Sequence, residues 1–246
     1  MSIEDLVDIS RSHGKNADYV LAGGGNTSWK DRDTLYIKAS GFSLADVSPG
    51  SFVKMDRTAL GRIWEKTYPE TSAERESAVL SDLMSARKTG EESMHPSVET
   101  LLHDIIPFDF VVHLHPALVN GLTCSKQGEA AMTRIFGEDA IWIPPVNPGY
   151  VLSKVVKTAM DAYKTKRGKH AAVIFLQNHG VFVGGGSAAG VKETYGKIMN
   201  DIDIRIKRRP DFSGEERLSA GDPEIEKITK TLSELAGAAI FIQSKE

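Results

Sequence analysis

Two histidines stand two residues apart in the segment Phe110-Val111-Val112-His113-Leu114-His115-Pro116. The segment is rich in β-branched and aromatic residues and is bounded by Pro107 and Pro116, so it reads as a short buried strand. On a strand, residues i and i+2 point to the same face, so both rings emerge side by side where the strand ends. Imidazoles placed this way can chelate one metal ion, and the plainer alternative is a pair of satisfied core histidines. A catalytic zinc takes three protein ligands and keeps a position open, so His113 and His115 need a third donor from another element. His179 is the best candidate, at the tip of a predicted hairpin, where a solvated turn residue is the competing reading.

Glu99 is the second candidate. It lies near the start of a predicted helix, about fourteen residues before His113. An early-turn glutamate ordinarily serves the helix dipole or a cap, whereas beside a divalent cation it can shuttle a proton. His103 follows one helical turn later and reads as orienting that carboxylate or capping the helix end. The third set consists of small donors: Asn26, Thr27 and Ser28 after three glycines, Ser40 and Gly41 after a strand, and Ser97 at a helix start. Glycine-loop N–H groups, helix N-termini and hydroxyls together suit an anion such as phosphate, although each stretch also reads as an ordinary turn. No Walker-type lysine follows, and neither glycine cluster matches G-x-G-x-x-G, so nothing supports nucleotide binding.

The elements that must position these groups follow from periodicity. A helix is expected over residues 2–13, a strand over 19–22 leading into a glycine loop, and strands over 34–38 and 52–56. Helices are expected over 72–88 and 97–105, with Ser97 as N-cap, before the histidine strand. Beyond it come helical pieces over 117–136 broken near 125–128, a strand over 140–144 and a helix over 152–165. The apolar run 171–176 turns through Asn178-His179-Gly180 into 181–185, a hairpin signal. The last third reads as helices over 187–208 and 223–241 separated by the polar stretch 210–214, with the cations of 205–209 at a solvated helix end. Mixed strands and helices indicate helices on both faces of one sheet.

With 246 residues, 41% apolar and 26% charged, and no evident linker, the chain is expected to form a single domain over residues 1–246. A net charge of −3 and a pI near 6.2 give no general attraction to nucleic acid or an anionic membrane. Cys124 is the only cysteine, which excludes an intrachain disulfide and a cysteine-built zinc knuckle and suits a reducing cytoplasm. The acidic N-terminus lacks the pattern of a signal peptide, and no apolar run reaches the roughly 18 to 20 residues of a membrane span.

Together these residues resemble the class II aldolase/adducin family, which includes fuculose-phosphate and rhamnulose-phosphate aldolases and ribulose-phosphate 4-epimerase. The matching pieces occur in family order: Gly-Asn-Thr-Ser at 25–28, Ala-Ser-Gly at 39–41, Pro-Ser-Val-Glu at 96–99, His-Leu-His-Pro at 113–116 and Asn-His-Gly at 178–180. The Gly-Gly-Gly-Asn-Thr-Ser and Pro-Ser-Val-Glu-Thr forms are most similar to the aldolase half of bacterial rhamnulose-1-phosphate aldolase/alcohol dehydrogenase fusions. The resemblance implies an α/β fold, a three-layer α/β/α sandwich with a central, largely antiparallel sheet, assembled as a homotetramer with active sites at subunit interfaces. It also implies that His113, His115 and His179 hold one Zn²⁺ per subunit, that Glu99 is the catalytic glutamate, and that Asn26, Thr27, Ser40, Gly41 and Ser97 lie at the phosphate-binding positions. Two departures stand out. Fuculose-phosphate-type aldolases carry Pro-Ser-Ser-Glu where this chain has Val98, which removes one phosphate donor. They also place a proton-donating tyrosine after the strand equivalent to 140–144, where this chain offers Tyr150.

The implied activity is a zinc-dependent aldolase that reversibly cleaves a ketose 1-phosphate, such as rhamnulose or fuculose 1-phosphate, to dihydroxyacetone phosphate and an aldehyde through a metal-stabilised enediolate. The alternatives are a sugar-phosphate 4-epimerase, a sugar-acid phosphate decarboxylase or a dehydratase on the same scaffold, or a non-catalytic adducin-like module. Three imidazoles also suit iron or manganese.

Overall fold

The structure, a computed structural model, describes residues 2–21, 24–207 and 223–236. The chain falls into two compact units, Met1–Arg205 and Ile206–Glu246. The first unit is built on a seven-stranded sheet of β1 (Asn26–Lys30), β2 (Thr34–Lys38), β3 (Phe52–Asp56), β4 (Phe110–Leu114), β5 (Ala140–Ile143), β6 (Val173–Leu176) and β7 (Gly180–Gly185), in the order β3-β2-β1-β4-β7-β6-β5. Every neighbouring pair is antiparallel except β5 and β6. That parallel pair needs a long crossover, and the helix α7 (Tyr150–Arg167) lies within it.

Helices cover both faces. One face carries α1 (Ile3–Gly14), α5 (Ala117–Thr123), α6 (Gly128–Phe136) and α8 (Ala188–Asp203), whose Leu6, Val119, Met132 and Tyr195 meet Phe110, Val112 and Phe175. The other carries α2 (Arg57–Ile63), α3 (Ser72–Ser85), α4 (Thr100–Ile105) and α7, against Leu35, Ile37, Val111, Ile174 and Phe182. Alternation along β4 decides which side each residue serves: Phe110, Val112 and Leu114 face α1 and α8, while Val111 and His113 face α4 and α7. The three layers and the largely antiparallel sheet agree with the expected fold class. The second unit contributes α9 (Pro223–Ala236).

Several boundaries differ from the sequence reading. The run beginning at Tyr19 is not a strand: the N–H groups of Tyr19 and Val20 both turn back to the Asn16 carbonyl, and Tyr19 packs edge-on against His13 and Tyr195. The strand lies instead over residues expected to be loop, Asn26 to Ser28, and continues to Lys30. The α2 helix was not expected; Asp56 caps it by accepting from the N–H groups of Thr58 and Ala59. The helix expected from Ser97 begins at Thr100, and Ser97 shapes the preceding turn by accepting from Glu99 N. Residues 208–209 of the expected cation cluster, the expected stretch 210–214 and residues 237–241 of the last expected helix lie outside the described residues.

Because β1 is a strand, Asn26, Ser28 and Lys30 share the face that meets α4. Lys30 is buried there and donates to the carbonyls of His103 (2.5 Å) and Ile106 (2.6 Å). Those carbonyls belong to the end of α4, where a helix leaves acceptors without partners, so the ammonium acts as a buried C-terminal cap. Burial pushes its pKa from 10.5 down to about 7, against partial support from Asp104. Between those values the unfolded chain binds a proton that the folded chain does not, so this group's contribution to stability rises with pH across that window. Lys30→Met should abolish that slope and cost about 1–3 kcal/mol through the uncapped carbonyls. Denaturant midpoints of both proteins at pH 7 and pH 9.5 test this; a difference between them that does not change with pH would contradict it.

Candidate functional site

The end of β4 delivers His113 and His115 as the i, i+2 reading requires. The hairpin between β6 and β7 brings His179 to them. Its turn is set by Asn178, which takes a left-handed backbone (φ 59°) suited to asparagine and places its N–H on the Thr123 carbonyl. Gly180 follows because the chain passes so close to β4 that a Cβ there would stand 2.5 Å from the Leu114 carbonyl oxygen and 2.6 Å from His115 Cδ2. Gly25 combines φ +81° with a would-be Cβ at 2.8 Å from the His113 carbonyl, so the glycine loop also abuts this strand end.

The three rings converge on their Nε2 atoms. His113 Nε2 lies 2.9 Å from that of His115 and 3.2 Å from that of His179. His113 Nδ1 is 3.1 Å from the Val181 carbonyl, which can only accept, so Nδ1 carries the proton and Nε2 presents a lone pair. The Val181 carbonyl also accepts from the Tyr195 hydroxyl, and Phe182 stacks flat on His113 with ring centroids 3.9 Å apart. Burial holds all three imidazoles neutral: His113 is driven well below the usual range, with help from His115 and His179, His179 falls to about 4, and His115 is lowered as well.

Glu99 enters from the turn before α4. Its Oε1 stands 3.3 Å from His113 Nε2 and 3.4 Å from His179 Nε2. With neutral rings these are not ion pairs, and Oε1 is buried with no hydrogen-bond partner. The other oxygen, Oε2, accepts from Asn26 Nδ2 at 2.6 Å. Burial raises the Glu99 pKa to about 7, partly offset by the Asn26 bond. Acceptors facing acceptors at such distances repel unless a proton or a cation lies among them. The three nitrogens lie within 4.8 Å of one another, which compares with roughly 3.4 Å between donors on a tetrahedral ion held at about 2.0–2.1 Å. The donor set therefore fits a divalent cation of the zinc type, with neutral imidazoles in the form that ligates.

The expected anion-binding residues divide. Asn26 is at the cluster through Glu99. Ser40 and Gly41 form an exposed turn joined to the segment before α4 by Ser40 N to the His95 carbonyl (2.9 Å). Ser97 is buried, with its hydroxyl under Glu99 N. Thr27 does not join them: it lies on the opposite face of β1, fully buried, with its hydroxyl 2.6 Å from Ser10 Oγ of α1. Val98 points outward and is 55% exposed. Tyr150 packs within the core between Trp64 and Tyr68, not with the imidazoles.

His103 corrects another expectation. It neither orients the Glu99 carboxylate nor caps through its ring; Nδ1 bonds Ser28 Oγ at 2.7 Å, and the ring meets Phe182 edge-on. Burial, aided by the charges of Lys30 and Lys38, drives its pKa down to about 3, and its Nε2 is buried without a partner. Sequence reasoning missed Ser28 and Lys30 as the residues that fasten α4. The i, i+2, i+4 spacing of Asn26, Ser28 and Lys30 is the signal that could have found them.

Comparisons with known proteins bear on the fold and the family. The chain is 27% identical to the uncharacterized oxidoreductase YuxG of Bacillus subtilis (strain 168) over 86% of its own length, and it spans 31% of that protein. A solved N-terminal class II aldolase domain of a conserved protein from Thermoplasma acidophilum superposes with a TM-score of 0.69 at 26% identity, covering 83% of this chain and 93% of that one. An L-fuculose 1-phosphate aldolase shares the fold, with a TM-score of 0.56 at 16% identity over 94% of this chain and 95% of that one. Residues 4–198 match the family described as Class II Aldolase and Adducin N-terminal domain, and it is to this family that the chain belongs.

Proposed function

We propose that the chain is a zinc-dependent aldolase that reversibly cleaves a ketose 1-phosphate to dihydroxyacetone phosphate and an aldehyde. The observation that carries this reading is the Glu99 carboxylate, buried without a partner for Oε1 at 3.3–3.4 Å from two of three converging neutral imidazoles. His113, His115 and His179 would hold the ion. When bound, it supplies Lewis acidity to a substrate carbonyl, easing rupture of the adjacent carbon–carbon bond. Glu99 handles the proton on the carbon next to that carbonyl. It takes the proton in condensation and returns it in cleavage; burial lifts its pKa to about 7 in the ion-free protein, and a cation held by the imidazoles would draw it back toward the carboxylate form that accepts the proton. Asn26 holds Oε2 so that Oε1 is the oxygen turned to the reacting side. Ser40, Gly41 and Ser97 are assigned to the phosphate, and Thr27 is released from that role by its place against α1. Assembly as a homotetramer belongs to the same proposal. No described helix is long and apolar enough to cross a membrane.

The decisive experiment incubates the purified, metal-analysed protein with dihydroxyacetone phosphate and a panel of aldehydes, reading products by mass spectrometry and NMR. Condensation products support the proposal. Absence of both condensation and cleavage would turn it toward epimerisation or decarboxylation on the same scaffold. Glu99→Gln should keep its zinc and lose about 10²–10⁴ of the turnover, the range general acid–base catalysis supplies; a variant with wild-type turnover would remove Glu99 from the mechanism. Replacing His113, His115 or His179 by Ala should lower zinc content and activity together, as elemental analysis beside a rate assay would register. Gly180→Ala should do the same without touching a ligand, because its Cβ would press on the β4 backbone and on His115. Full zinc occupancy in that variant would refute the close-approach argument.

A further inference from the structure

Lys38, the last residue of β2, is only 6% exposed, yet no carboxylate pairs with it among the described residues. Its ammonium donates to the carbonyls of Ala39 (3.2 Å) and Phe42 (2.8 Å), the two residues that bracket Ser40 and Gly41. A trans peptide points its N–H opposite to its carbonyl, so clamping these carbonyls fixes which way the turn's donors face. Ser40 N is taken by the His95 carbonyl and Phe42 N turns back toward the Ala39 carbonyl across the Ser40-Gly41 turn, while the N–H groups of Gly41 and Ser43 have no partner among the described residues. Gly41 has φ +88°, and a Cβ built on it would meet nothing within 4 Å, so the turn opens onto free space. The free N–H groups of Gly41 and Ser43 beside a buried cation make a turn suited to an anion. A charge taken out of water without a counter-ion is costly, and an anion seated on the turn would offset that cost.

We infer that Lys38 is the charge-supplying and positioning residue of the Ser40-Gly41 turn, making this turn selective for a dianionic phosphate monoester over the neutral sugar. The inference rests on the proposed sugar-phosphate reading and adds a residue to it that lies outside the histidine group. The plain alternative is that Lys38 merely ties down a turn, in which case charged and neutral ligands would suffer alike when it is removed.

Binding of dihydroxyacetone phosphate and of neutral dihydroxyacetone to the zinc-loaded protein, measured by calorimetry in an anion-poor buffer, separates the two. Lys38→Met should weaken dihydroxyacetone phosphate at least tenfold, about 1.4 kcal/mol, with zinc content and dihydroxyacetone affinity unchanged, and Lys38→Arg should recover part of the loss. Equal loss for both ligands, or none for the phosphate, overturns the inference. Should Lys38→Met fail to fold, the wild-type protein with ¹⁵N-labelled lysine decides: the Lys38 Nζ resonance should move on saturation with inorganic phosphate and stay in place with dihydroxyacetone. A resonance indifferent to phosphate overturns it. Failure of the aldolase reading would show separately, as phosphate-selective binding without carbon–carbon cleavage.

Discussion

Four polar groups crowded into one buried space are the constraint around which the first unit is arranged. Three imidazole nitrogens and one carboxylate oxygen meet at 2.9–3.4 Å, and the His113 lone pair is the acceptor at their centre. Water would ordinarily relieve such a cluster, but His113 is fully buried and Glu99 nearly so. The same desolvation acts in opposite senses on acid and base, lifting Glu99 and depressing the histidines. All four groups are thereby pushed toward neutrality, the state of lowest internal charge in a protein without an ion. A cation at the centre would attract each of the four groups and outweigh the repulsion between them. The surrounding structure must hold the groups together against their own repulsion until then.

That restraint comes from elements packed behind the cluster. Phe182 lies flat under His113, and the Val181 carbonyl fixes the tautomer of the same ring. On the other side, β1 fastens α4 by a polar row: Asn26 to Glu99, Ser28 to His103, and Lys30 to the carbonyls at the helix end. A strand advances about 6.6 Å for every two residues and a helix about 6 Å for every four, so successive contacts can stay in register over this short helix. His103 belongs to both sides, bonded to Ser28 and edge-on to Phe182. Its unpaired Nε2 carries the cost of a buried polar group, as does Oε1 of Glu99, and both lie in this one region.

Much of this was legible in the sequence wherever chemistry and periodicity coincide. The His113/His115 alternation, the 171–185 hairpin and the broken 117–136 helix follow from local pattern alone, and the structure reproduces them. The strand β1 escaped because its inward row is polar. Asn26, Ser28 and Lys30 bond α4 where a reading by hydropathy expects apolar side chains, and three preceding glycines suggest a loop. Conversely, Tyr19 and Val20 are apolar for the sake of packing against α1 and α8 and carry no ladder. The i, i+4 spacing of Glu99 and His103 suggested that they touch. Glu99 instead sits in the entry turn with φ −91° and ψ 7°, outside helical geometry, so the spacing rule does not apply. Thr27 was misplaced for the simplest reason: next to Asn26 in sequence, it lies across the sheet from it in space.

The antiparallel topology explains why motifs scattered over 160 residues can form one site. Where β1 begins, β4 ends and β7 begins, because each is antiparallel to its neighbour; Asn26 lies opposite His113, and Val181 opposite Leu114. The strand β2 runs against β1, so it too ends at this edge, at Lys38, immediately before Ser40 and Gly41. Four of the motifs are therefore the residues at which a strand enters or leaves the same rim, and the fifth, Pro96 to Glu99, is the turn that leads into α4. The histidines and Asn26 stand on the middle strands, restrained by neighbours on both sides, whereas the Ser40-Gly41 turn follows a strand nearer the sheet's margin. A group that must hold an ion needs the first kind of support. The Ser40-Gly41 turn has the second kind, held by the Lys38 ammonium on the Ala39 and Phe42 carbonyls and by Ser40 N on the His95 carbonyl, with the Gly41 and Ser43 N–H groups left free.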